Sequence, residues 1–364
     1  MFSFTKQIRR LYANNIFGCL SLTGAWVAIL AARGFSLAEI GLAETCYHIA
    51  SLLLEIPSGA LADVLGRKRM LTVSVLTGMA AGAVMILSGS LAAVCLSITL
   101  FAAADSFSSG TGDALAFDSM KLAGREEGYP RYESDQLIIF RLCDGLSTLC
   151  AGFALLIGHR IAYAAGLATG LVRLCIIAGL KETDAERRVT RPGAQLRTAL
   201  KDCFRETFRF LRREKRACLL MTANSLVGAA DTLLLFFLQA KLPRAGVTEG
   251  LLGPLLLIMS LGGIIGARLS LKTGRMKYRT LFLTAACAVA AGVLLEHTAA
   301  GLIMAVGGFL AAMADDMLQV RTNSLLQGMF PSEQRATLIS VECFTFSVIM
   351  IVLSPLAGLF FNVW

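Results

Sequence analysis

Residues 59–71 read GALADVLGRKRML, a short basic turn set between two long apolar runs. Gly59, Asp63, Gly66, Arg67, Lys68 and Arg69 gather there, so the chain stops, turns and restarts within a few residues at a charged boundary. Such a hairpin fits two membrane-spanning helices joined at a membrane face. The composition points the same way: 56% of the 364 residues are hydrophobic, 16% are charged, and mean hydropathy is +0.68. Those values lie outside the range of soluble globular domains. A hydrocarbon core about 30 Å thick needs about 20 apolar residues per helix, and within it only helices and closed barrels satisfy their backbones. The runs here are long and continuous rather than alternating, which selects helices.

Apolar windows predict eleven spans, near 11–33, 37–58, 69–89, 91–119, 136–158, 160–181, 217–240, 250–271, 280–297, 299–324 and 336–360. With the N-terminus inside, the cytoplasmic loops collect most of the Lys and Arg, including Arg9, Arg10, Arg67, Lys68, Arg69, Lys121, Arg125, Lys272 and Arg279. The opposite side receives only Arg33, Arg160, Lys241 and Arg244. This asymmetry predicts a cytoplasmic N-terminus and an extracytoplasmic C-terminus in an inner or plasma membrane. Residues 181–216 form a basic linker between a first bundle, 1–180, and a second, 217–364. Within the linker, Leu196, Leu200, Phe204, Phe208 and Leu211 repeat at helical spacing, which predicts an amphipathic helix at the inner headgroup layer. A linker tethered to lipid at both ends argues against nucleic acid as a partner.

The hairpin resembles the loop between the second and third helices of the major facilitator superfamily, where Gly-x-x-x-Asp-x-x-Gly-Arg-[Lys/Arg] recurs. LLLEIPSGALADVLGRK (52–68), GDALAFDSMK (112–121) and FPSEQRATLIS (330–340) are similar, in order, to the helix 2, helix 4 and helix 11 regions of its bacterial drug-efflux-like members. The resemblance implies an all-α polytopic fold of two pseudo-symmetric bundles, here of six and five helices. It also implies a cytoplasmic gate motif of Gly59, Asp63, Gly66, Arg67 and Asp118. In it Arg67 meets Asp118 on helix 4, Asp63 meets the N-terminus of helix 11 after Pro331, and together they latch the halves. A degraded second copy lies at Gly274-Arg275, with Leu271 where the acid would be.

Ionisable groups inside spans are costly and face a cavity or a partner. Helix 2 carries Glu44, His48, Ser51 and Glu55 on one stripe, and Glu44 in its outer half is placed to take up a proton from outside. Asp105 and Asp113 on helix 4 and Asp231 and Asp315 in the second half are further proton-coupling or cavity candidates. Arg141 and Asp144, three apart on helix 5, are spaced to pair, and Arg173 is a possible neutraliser of Asp113. Acids outnumber bases at these depths, which suits a cationic or neutral amphipathic solute exchanged for protons. The expected function is therefore proton-coupled efflux by alternating access, with a small molecule, protons and lipid as partners.

Most of the ten cysteines, among them Cys19, Cys46, Cys95, Cys143, Cys150, Cys175, Cys287 and Cys343, fall inside apolar runs with no Cys-x-x-Cys pair, and the three histidines are scattered. No metal site is expected. No His-Glu-x-x-His or Gly-x-Ser-x-Gly motif occurs, so neither a catalytic residue nor a cofactor is expected. The family norm is twelve helices, whereas the apolar windows end with the eleventh. This leaves a transport-inactive or truncated member, acting as a sensor or assembly partner, as the alternative. A monomer is expected, or a dimer if the twelfth helix is truly absent.

Overall fold

The computed structural model describes the chain apart from residues 1–2, 183–200, 202–204, 206–208, 211, 271, 273–275, 299, 330–334 and 364. The described residues contain no strand. The helices are α1 (Phe4–Cys19), α2 (Trp26–Ala32), α3 (Leu37–Leu65), α4 (Arg67–Leu87), α5 (Leu91–Ser108), α6 (Thr111–Leu122), α7 (Tyr129–Leu149), α8 (Ala151–Ile157) and α9 (His159–Ala178). After the linker come α10 (Lys215–Arg244), α11 (Glu249–Ser270), α12 (Tyr278–Leu295), α13 (Gly301–Met329) and α14 (Arg335–Val363). The amphipathic linker helix expected over 195–212 falls largely outside the described residues.

Among the described residues nine helices are long and apolar enough to cross a membrane, or ten if α7 and α8, bent by 52° with their preceding turn, make one broken span. The expected first span, 11–33, is divided into α1 and α2. Between them the Ser21 hydroxyl accepts the Thr23 N–H at 2.9 Å and lies 2.8 Å from the Thr23 hydroxyl. Such local bonds satisfy the backbone without a helical ladder. At the start of α3, the Glu39 carboxylate accepts from the Ser36 N–H and hydroxyl, each at 2.8 Å, while the Ser36 hydroxyl accepts the Glu39 N–H at 3.3 Å. This reciprocal capping box fixes where the helix begins.

The helices fall into two compact units. The first comprises Met1–Gly24, Cys46–Ser147 and Ile157–Phe204. In it α4 packs against α5, α6 and α9, and α1 against α6 and α9. Leu11, Leu71, Leu115, Met120, Tyr132 and Ile177 form a buried core there. The second comprises Ala25–Thr45, Thr148–Leu156 and Arg205–Trp364, so α3 gives its first turns to this unit and the remainder to the other. Within the second unit α2 packs on α10, with Trp26 edge-on to Phe236 at 5.7 Å.

In the second unit α11 packs tightly against α13. Gly262, Gly263 and Gly266 face the Phe309 carbonyl, the Asp316 carboxylate and the Met313 carbonyl, where any Cβ would collide. In lipid there is no hydrophobic drive between helices, so small residues that let backbones meet carry the packing. Large apolar side chains such as Leu87, 84% exposed, cover the outer faces. Lipid, not water, is the solvent that tolerates them.

Candidate functional site

The sequence motif forms a compact knot at the end of the α3–α4 hairpin. Gly66 turns the chain with φ +92°, a conformation that only glycine adopts without strain. A Cβ there would come within 2.8 Å of the Glu182 carboxylate. That carboxylate accepts the N–H of Arg67 at 3.2 Å and of Lys68 at 2.9 Å, placing an anion on the positive N-terminus of α4. The Arg67 guanidinium donates to the Asp118 carboxylate and the Ala114 carbonyl of α6. The Lys68 ammonium donates to the Ala178 carbonyl at the end of α9, at 2.9 Å. Arg67, Asp118, Lys68 and Glu182 all belong to the first unit. The pair therefore ties helices of one bundle together, with Arg67 meeting Asp118 as the resemblance implied. The Asp63 side chain, the helix 11 start at Pro331 and the second motif copy at Gly274-Arg275 lie outside the described residues.

Above the knot, α1, α4, α5 and α9 enclose a cavity of about 170 Å³. Asp105 of α5 and Arg173 of α9 both line it, with Phe101, Met79, Leu167 and Val75 supplying apolar wall. The Tyr47 hydroxyl donates to Asp105 Oδ2 at 2.9 Å, and Arg173 Nε donates to Asn14 Oδ1 at 3.2 Å. The two charges act on each other, yet among the described residues neither is in an ion pair. Arg173 thus faces Asp105 rather than Asp113. Asp113 instead lies exposed at the first turn of α6, near Glu133.

In the second unit Asp231 of α10 is 5% exposed. It lies close enough to Asp315 and Asp316 of α13 for the three carboxylates to act on one another. Oδ1 of Asp231 and Oδ1 of Asp315 have no hydrogen-bond partner among the described residues. Room for the cluster comes from glycines: a Cβ at Gly228 would meet Asp315 at 3.4 Å, and one at Gly263 would collide with Asp316. Nearby, Asn224 Nδ2 donates to Glu342 Oε1 at 3.5 Å, joining α10 to α14.

A different charge pair in this unit escaped the sequence reading. Lys241 was expected in an outer loop, but it is a buried residue of α10 paired with Glu296. The Glu296 side chain is wholly buried and Lys241 also lies 5.3 Å over the Phe361 ring. Only its position at the end of an apolar run, with an acid at the end of another, signals the pair in sequence. Glu182 was missed for a similar reason, since its helix partner lies 115 residues away.

The remaining candidates are dispersed. Glu44 and His48 are buried on α3, and His48 stands edge-on to Tyr47 at 5.4 Å. Glu55 accepts from the Ser109 hydroxyl at 3.2 Å. Asp144 is exposed on α7, while the side chain of Arg141, its expected partner, lies outside the described residues.

The sequence matches the family model described as Major Facilitator Superfamily over residues 11–355. No curated protein sequence matches the chain. Solved structures share its fold at low identity. A mutant of the nucleoside transporter NupG superposes with TM-score 0.73 at 14% identity, over 99% of this chain and 96% of that one. A D-xylose-proton symporter gives 0.68 at 11%, over 97% and 88%, and the peptide transporter POT, as a mutant, gives 0.69 at 11%, over 98% and 90%. With a family match spanning nearly every helix and the hairpin motif folded as an interlocked turn, the chain belongs to the Major Facilitator Superfamily.

Proposed function

We propose that the protein is a secondary active transporter that couples proton entry to outward movement of small amphipathic or cationic solutes by alternating access. The observation that carries this reading is the convergence of Asp231, Asp315 and Asp316 within the spans of the second unit. Like charges crowded in low dielectric repel, and uptake of a proton relieves the repulsion. Proton exchange at these acids, linked to the movement of the halves, is what coupling requires. Among the solved structures of similar fold is one described as a proton symporter, so proton coupling has precedent on this architecture.

In this reading the halves 1–180 and 217–364, joined by the basic linker 181–216, move against one another. Glu44, His48, Asp105 and Asp113 are secondary proton or cavity groups. The Arg67–Asp118–Glu182 knot keeps the first bundle rigid. The N-terminus is cytoplasmic in a cell membrane, on the asymmetry of basic residues. The outward direction rests on the drug-efflux-like motifs at 52–68 and 112–121.

The test is flux in proteoliposomes with an imposed proton gradient, using a panel of small amines and zwitterions that includes choline and L-leucine. Proton-driven countermovement of at least one panel member is expected. Flux indifferent to the gradient would remove the coupling, and no flux of any member would favour the transport-inactive alternative.

A further inference from the structure

Opposite charges at membrane depth ordinarily close into contact, because mutual attraction offsets the cost of leaving water. Lys241 and Glu296 do so, and so do Arg67 and Asp118. Asp105 and Arg173 do not. They line one cavity of about 170 Å³ and remain outside ion-pair contact, and each is held by a neutral neighbour. Tyr47 occupies only Oδ2 of Asp105, leaving Oδ1 open. Asn14 occupies only Nε of Arg173, leaving both terminal nitrogens of the fork unclaimed among the described residues. The hydroxyls of Ser74, Ser108 and Thr169 around the cavity donate to backbone carbonyls, so they require no ligand.

We infer that the first-unit cavity is a binding site for a small zwitterion, with Asp105 receiving its ammonium group and Arg173 its carboxylate. The guanidinium fork matches a carboxylate bidentately, and the single open carboxylate oxygen of Asp105 suits an N–H donor. Drug-sized ligands occupy about 300–1,000 Å³, so this smaller space takes an amino acid or the amino-carboxylate head of a slightly larger solute. Phe101, Met79 and Leu167 supply an apolar wall for its side chain. The inference deepens the transport reading by naming a solute class, but binding itself requires neither proton coupling nor a direction of movement.

The test is equilibrium binding to the purified, detergent-solubilised full chain. The probes are L-alanine, L-valine and L-leucine, with their amides, which lack the carboxylate, and their deaminated acids, which lack the ammonium. At least one amino acid should bind, and its amide and deaminated acid should each bind about tenfold or more weakly, the loss of a hydrogen bond to a charged group. Asp105→Asn should weaken the amino acid while leaving the deaminated acid unchanged, and Arg173→Gln should weaken the amino acid while leaving the amide unchanged. Should either variant fail to fold, the ligand series on the unsubstituted protein decides alone. Absence of amino-acid binding, or equal binding of the three ligand forms, would overturn the site. Loss of gradient-driven flux with this binding intact would instead count against the transport reading.

Discussion

The first unit holds its intramembrane acid opposite a base across a cavity, whereas the second holds its acids against one another. Asp105 faces Arg173 with space between; Asp231 lies close to the carboxylates of Asp315 and Asp316. An acid balanced by a base has little reason to change its proton content, so it suits solute recognition. Acids crowded together have every reason to exchange protons or attract a cation. On the function proposed above, the two arrangements divide recognition and coupling between the units. The closed pairs Lys241–Glu296 and Arg67–Asp118 mark what a structural charge pair looks like in the same chain.

The largest expected effect concerns those closed pairs. Lys241→Ala leaves the Glu296 carboxylate buried without its cation and should lower stability by about 3–5 kcal/mol, read as a fall in the unfolding temperature in detergent. The paired replacement Lys241→Met with Glu296→Leu should restore most of it, since apolar isosteres of buried ion pairs are near neutral. If the single and paired variants are equally destabilised, the pair is not the structural control assumed here.

Next comes the support of the acid cluster. Gly266→Leu drives a side chain into the Met313 carbonyl and should cost about 1–3 kcal/mol or more by prising α11 from α13. The same measurement of unfolding temperature checks it; an unchanged value would mean that the α11–α13 contact does not hold Asp315 and Asp316 in place. Arg67→Ala removes hydrogen bonds to a charged group and should cost about 1.5–3 kcal/mol, with Arg67→Lys recovering only part because an ammonium lacks the planar fork. Smallest is Tyr47→Phe, which deletes one hydrogen bond to Asp105 and should weaken amino-acid binding by an amount equivalent to about 0.5–1.5 kcal/mol. Proton-driven flux should be spared, and a larger effect on coupling than on binding would blur the division between the units.

The features legible in the sequence are those whose cause is local. The turn at Gly66 follows from its own residues, whereas the Arg67–Asp118 partnership, 51 residues apart, was implied by the family resemblance and not by spacing. Span positions followed from apolarity, because burial in lipid depends on composition rather than on a partner. The division of the first span was not legible in that way: its apolar content continues through 20–25, while Ser21 and Thr23 satisfy the backbone by short-range bonds. Lys241–Glu296 and Glu182 on α4 depend on helices meeting across 55 and 115 residues, which no periodicity encodes. The Asp105–Arg173 cavity required knowing that α5 and α9 both border α4. Asp231 and Asp315 were each recognisable as charges out of place, but their convergence, made possible by Gly228 and Gly263, is a property of packing.

The most direct test of the division between the units is proton movement in proteoliposomes carrying an internal pH-sensitive dye. A solute that the purified protein binds is added to the unsubstituted protein, Asp231→Asn and Asp105→Asn in parallel. The account predicts solute-dependent proton flux in the unsubstituted protein. It predicts loss of about tenfold or more of that flux in Asp231→Asn with solute binding retained, and weakened solute binding in Asp105→Asn with protons still moved per solute transported. Equal proton flux per solute in Asp231→Asn and the unsubstituted protein would contradict it.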